Sequence, residues 1–145
     1  MKAAELYEKD FYLWAQHNAD LLFAGEFAKA DIQHIAEEIR DIGSRERREL
    51  LSRLRVLIAH LLKWQTQPEH QCVCWRVTIL SQRHEIAALL DDMPSLHRML
   101  EDALPTAYRR AVEMAAAETG FARTRFPKQC PFSLKKVVDT RFWPK

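Results

Sequence analysis

The chain has 145 residues, of which 48% are hydrophobic and 29% charged, and a formal net charge of +2. That mix excludes wholesale disorder and leaves room for one domain. With three glycines and six prolines there are too few turn residues for a sandwich or barrel, and no apolar run approaches the roughly 20 residues of a membrane helix.

Taken in chain order, nearly every segment reads as helix. Tyr7, Phe11, Trp14, Asn18 and Leu21 recur at steps of four and three, which predicts a first helix over 1–25 closed by Gly25. Asp31 is placed to cap the next. From there one face carries Ile32, Ala36, Ile39, Gly43, Glu46, Leu50, Leu54, Leu57, Leu61 and Trp64 without a slip in phase. The unbroken phase predicts one long helix over 31–67, with Gly43 marking the close approach of a neighbour. Two helices meeting at Gly43-Ser44 are the alternative. A third helix is expected over 74–91, stopped before Pro94. A fourth, over 94–120, is expected to be kinked or split at Pro105. The tail, 121–145, is looser, with Ser133 capping a short helix near 133–139. The expected fold is thus all-α: a single compact bundle of about four to five helices around one long central helix, with the basic, aromatic C-terminal tail packed over it.

Charge is unevenly spread. Residues 1–41 hold nine acids against four bases, a balance of −5, and residues 120–145 hold one acid against seven bases, a balance of +6. This predicts that the basic, aromatic tail folds over the first helices, with its aromatics buried and its charges facing acids. Binding of nucleic acid by the tail is the other reading, through stacking on Phe121, Phe126, Phe132, Phe142 and Trp143. It is less favoured because a pI near 8.5 falls short of a strongly basic footprint.

No metal site and no cofactor are expected. His70, Cys72 and Cys74 have the wrong spacing for a zinc knuckle. Asp31, His34 and Glu38 lack the second copy that a carboxylate-bridged bundle site needs. Three cysteines, two of them too close to suggest a disulfide framework, point to a reduced cytoplasm.

Arg53, His60 and Trp64 share one ridge of the long helix, since residues seven apart return to nearly the same face. The spacing from Arg53 or Arg55 to His60 is similar to the Arg-x(4–6)-His motif of HEPN-type helical ribonucleases. Such a pair would move a proton and balance phosphate charge in RNA cleavage. The plainer reading, an interior histidine and an arginine reaching solvent, is preferred.

Larger motifs carry a second resemblance. Leu6-Tyr7-x-x-Asp10-Phe11-Tyr12-x-Trp14, Ala36-Glu37-Glu38-Ile39-x-x-Ile42-Gly43 and Arg48-Glu49-Leu50 begin a series. It continues with His60-Leu61-Leu62-Lys63-Trp64-Gln65-x-Gln67-Pro68, Trp75-x-x-Thr78-Ile79-x-x-Gln82-Arg83, Ala107-Tyr108-x-x-Ala111 and Phe126-Pro127-x-x-Cys130-Pro131-Phe132. Together they resemble the bacterial domain-of-unknown-function (DUF) family twenty-nine over nearly the whole chain. The resemblance implies a helical bundle in a bacterial cytosol and brings no substrate, cofactor or catalytic residue with it. The polar positions of these motifs suggest two clusters. One holds His60, Trp64 and Trp75 near Pro68, and the other holds Glu38, Glu46 and Arg83 around Gly43.

The leading functional expectation is a protein-interaction or self-associating module without chemistry of its own. At about 50 Å the long helix outruns a 17 kDa bundle, so part of its apolar face needs a partner chain. An RNA-cleaving or nucleotide-modifying enzyme using Arg53 and His60 is the alternative, and nucleic-acid binding through the tail is a second. No membrane partner is expected.

Overall fold

The structure, a computed structural model, describes residues 2–145. It consists of α-helices and short 3-10 turns, with no strand among the described residues. The chain divides into two compact units, one ending at Arg45 and one running from Glu46 to Lys145.

In the first unit the apolar stripe expected to form one helix is carried by two, α1 (Ala3–Lys9) and α2 (Phe11–Phe23). Asp10 separates them. Its backbone leaves the helical region, its N–H closes α1 on the Leu6 carbonyl, and its carboxylate accepts the Leu13 N–H at 3.1 Å. A capping carboxylate satisfies amides that the stripe alone could not, so the helix restarts. Gly25 ends α2 as expected. At φ +76° it lets Glu26 N–H reach the Leu21 carbonyl at 2.9 Å and its own N–H reach Leu22 at 3.1 Å, the paired bonds of a Schellman cap.

The long helix, α3 (Ile32–Thr66), is unbroken through Gly43 over 35 residues. The close approach expected at Gly43 is absent: a Cβ there would meet nothing within 4 Å. A helix this long absorbs one glycine, whose cost is about 1 kcal/mol. The apolar line keeps its phase but not its burial. Leu50, Leu54, Leu57 and Leu61 are fully buried, whereas Ile32 and Ile39 on the same line are 52% and 65% exposed, and nearby Ile42 is 56% exposed.

The second unit joins the later part of α3 to α4 (Val73–Asp92), α5 (Leu96–Thr119) and α6 (Leu134–Val138). Ile79 and Ile86 of α4 and Leu100, Ala111 and Ala115 of α5 meet the α3 leucines in one apolar core. Met93, whose backbone leaves the helical region before Pro94, stops α4. Pro105 neither splits nor ends α5, which runs on to Gly120 in the left-handed conformation. Ser133 caps α6 by accepting the Lys136 N–H.

The tail packs as a cover, with Phe126, Phe132 and Val137 buried in the core. As expected, it lies over the long helix. Its docking partners are α3 near Trp64, α4 and α5, and its ion pair is between Arg123 and Glu113 of α5. Apolar area and carbonyl–side-chain bonds set the docking. No described helix is long and apolar enough to cross a membrane.

Candidate functional site

The C-terminal end of α3 gathers the first group of polar and aromatic residues. Lys63, only 6% exposed, places its ammonium 2.5 Å from the Glu118 carboxylate of α5 and 5.0 Å from the Trp75 ring centroid. Pairing and the aromatic face offset the cost of burying the charge. His60 lies one turn earlier, half-buried, with its Nδ1 donating to the Val56 carbonyl at 2.9 Å. Burial pushes its pKa down, the Val56 bond opposes this, and the Lys63 charge adds to the depression while Glu118 works against it. Trp64 packs on Trp143 of the tail, ring centroids 4.7 Å apart. His60, Trp64 and Trp75 thus occupy the region expected, but Lys63 is what reaches Trp75. The sequence did not connect Glu118 and Trp143 with this group, because they come from distant segments and no local spacing links them to α3.

The remaining α3 and α4 candidates are each tied elsewhere. Arg53 donates to Glu49 at 3.1 Å and to Gln82 at 3.2 Å, with Glu85 at 4.0 Å. No hydrogen bond joins it to His60. Glu46 is half-buried on α3. Arg83 does not serve a cluster around Gly43. It is 1% exposed, donates through Nε to the Val137 carbonyl at 2.8 Å and through Nη2 to Lys136 at 3.4 Å, and lies over Trp143. Burial lowers its pKa and the Asp139 charge opposes that. Its role is to hold the tail, where the Val137 carbonyl at the end of α6 would otherwise lack a donor.

Glu38 belongs to a network within the first unit. The Tyr7 hydroxyl donates to it at 2.5 Å, and the Tyr7 ring stacks on His34 at 3.9 Å. His34 Nδ1 lies 2.6 Å from Asp31 Oδ2, which also accepts the Trp14 Nε1–H at 3.0 Å. Asn18 completes the set, accepting the Asp31 N–H and donating to the Trp14 carbonyl. Burial disfavours the Asp31 charge, yet the Trp14 and His34 bonds outweigh it and hold its carboxyl below the usual range. The spacing of Asp31, His34 and Glu38 was the sequence signal of this network, weighed there only as a metal site, and Asn18 stood on an otherwise apolar stripe.

Cys72 and Cys74 are joined in a disulfide, a pairing that their closeness in sequence speaks against. Cys72 sits with extended backbone at the N-cap of α4, where its Sγ accepts the Trp75 N–H at 3.3 Å. The turn into the helix brings the i and i+2 side chains together. Cys130 stays a free thiol whose pKa burial raises. Among the described residues, no three His, Cys, Asp or Glu side chains are grouped to hold a metal ion.

No curated protein matches the chain. No solved structure matches it. A family model, described as domain of unknown function DUF29, matches residues 6–143, and the chain belongs to that family.

Proposed function

We propose that this chain is a protein-interaction module that pairs with a second copy of itself through the apolar surface of residues 11–42. The observation that carries the reading is the α3 face whose phase runs unbroken while its burial stops. Nine of the eleven large exposed apolar residues lie between Phe11 and Ile42, a concentration typical of contact surfaces. Ile32, Ile35, Ile39 and Ile42 follow steps of three, four and three, the spacing of a coiled-coil seam with β-branched residues. A second copy offers the same seam, which a two-fold interface requires. The Tyr7–Glu38 and Trp14–Asp31–His34 bonds fix the side chains behind this surface, lowering the ordering cost of association. A bacterial cytoplasm is the setting we infer from the family resemblance.

Sedimentation velocity tests it. The wild-type chain should run as a dimer and Ile39→Lys/Ile42→Lys as a monomer of unchanged helical content. A strictly monomeric wild type at high micromolar concentration overturns the reading.

The RNA-cleaving alternative draws less support, because Arg53 is engaged by Glu49 and Gln82 and His60 by its own helix. Nucleic-acid binding by the tail is likewise weakened by the burial of Phe126 and Phe132.

A further inference from the structure

Within the second unit, α3 and α5 flank a groove of about 760 Å³. Five arginines line it: Arg47, Arg48 and Arg55 from α3, and Arg98 and Arg110 from α5. Asp102 is the single acid in the lining. Elsewhere in the molecule arginines find carboxylates, as Arg53 and Arg123 do. Among the described residues, none of these five makes an ion pair. Arg55 is the most confined of them: its Nε is shut off from solvent and has no hydrogen-bond partner. Unmet buried donors of this kind are rare and costly, and five like charges facing one space repel one another unless an anion enters.

The floor has a different character. Leu51, Met99, Ala103 and Ala107 present apolar atoms between the two rows of guanidiniums. Inorganic phosphate would use the rim alone, whereas a ligand with both a phosphate group and a flat apolar body would use rim and floor together. Guanidiniums match phosphate oxygens bidentately, and the volume lies within the range typical of small-molecule sites. Arg47 to Arg55 is eight steps of α3, about 12 Å of helix axis, and Arg98 to Arg110 twelve steps of α5, about 18 Å, a length suited to a single nucleoside triphosphate more than to an extended strand.

We propose that the groove between α3 and α5 is a binding site for a small phosphorylated ligand of the nucleotide class. Lys63 of α3 meets Glu118 of α5, an offset that sets Arg55 level with Arg110. The phosphates lie between Arg55 and Arg110, the base rests on Met99 and Ala103, and Arg98 closes the base end. This site is separate from the self-association surface, and the two stand or fall independently.

The test is calorimetric titration of the full chain with ATP, with inorganic triphosphate and with a single-stranded oligonucleotide, at one fixed salt concentration. ATP should bind more tightly than either other probe. Arg98→Ala and Arg110→Ala, both exposed positions, should each weaken ATP binding by about tenfold with the unfolding temperature of the free protein unchanged. Arg123→Ala/Arg125→Ala in the tail should leave affinity as it was. The proposal is overturned by triphosphate binding as well as ATP, which would leave the floor unused. It is equally overturned by the oligonucleotide binding most tightly, or by the tail substitution costing as much as those in the groove.

Discussion

The Arg83 guanidinium reaches across 54 residues of sequence to donate its Nε–H to the Val137 carbonyl at 2.8 Å. Arg83→Met keeps the apolar stem but strands the Val137 carbonyl, while Lys136 keeps the Asp139 N–H. We expect a loss of about 2 kcal/mol or more of stability, with trypsin cutting at Arg123 and Arg125 faster than in the wild type. Arg83→Lys should recover little, because an ammonium cannot reproduce the planar fork. Denaturant titration beside timed proteolysis checks both, and a tail as protected as in the wild type would refute the anchoring role.

Lys63 and Glu118 give a second measurable pair. Glu118→Gln leaves the buried ammonium without its counter-charge and should cost about 1–3 kcal/mol. Adding Lys63→Met to that variant should restore part of the loss, since an apolar replacement has no charge to leave unpaired. Urea unfolding of the two single variants and the double variant reads the coupling.

Alkaline titration tests the Tyr7–Glu38 bond. The hydrogen bond to Glu38 comes first, followed by burial and then by the charges of Glu38, Glu37 and Asp41, and together they push the Tyr7 hydroxyl up to about 12. An unfolded tyrosine loses its proton near 10, so this contribution to stability is whole below that pH and disappears as the pH climbs towards 12. Tyr108 is pushed up to about 12 as well, by burial first. Ultraviolet titration of Tyr7→Phe should therefore lack one late-ionising phenol, leaving that of Tyr108. An unchanged late component would contradict the bond.

His60 has the opposite sign. Its pKa in the fold is held below the ordinary 6.5 by burial, so the unfolded chain takes up a proton first as the pH falls. Its contribution to stability is complete above 6.5 and is lost on acidification below it. The difference in unfolding free energy between wild type and His60→Gln should shrink from about pH 7.5 towards about pH 5.5, one unit either side of that value. A flat difference would show the imidazole to be freely protonated in the fold.

Gly43 lies inside α3 with open space where a side chain would point. Gly43→Ala should stabilise the chain by about 0.5–1 kcal/mol through helix propensity and a less flexible unfolded state. A loss of stability in thermal unfolding would mean that a neighbour does press on this position.

Gly43 also marks where sequence reasoning succeeds and where it stops. Phase continuity on either side of it was enough to predict a single rod, because helical period is a local property and each residue adds its own weight. Whether that rod is covered is not local: Ile39 and Leu57 obey the same period, yet one is exposed and the other buried. Asp10 broke a stripe that periodicity favoured, since one carboxylate capping one amide outweighs a pattern spread over many residues. The polar groupings were the least legible. Lys63 with Glu118, Arg83 with Val137 and Tyr7 with Glu38 each join segments more than thirty residues apart, and only the folded chain brings them together.

The stacking of Trp64 on Trp143 has a consequence for biosynthesis. The 79 residues from one ring to the other take about 4–16 s to make at about 5–20 residues per second. Through that interval the nascent α3 holds Trp64 and the apolar ridge before it without their final cover. The newborn protein therefore presents sticky surface at both ends of its longest helix while still on the ribosome, a stage at which holding chaperones would have most to protect.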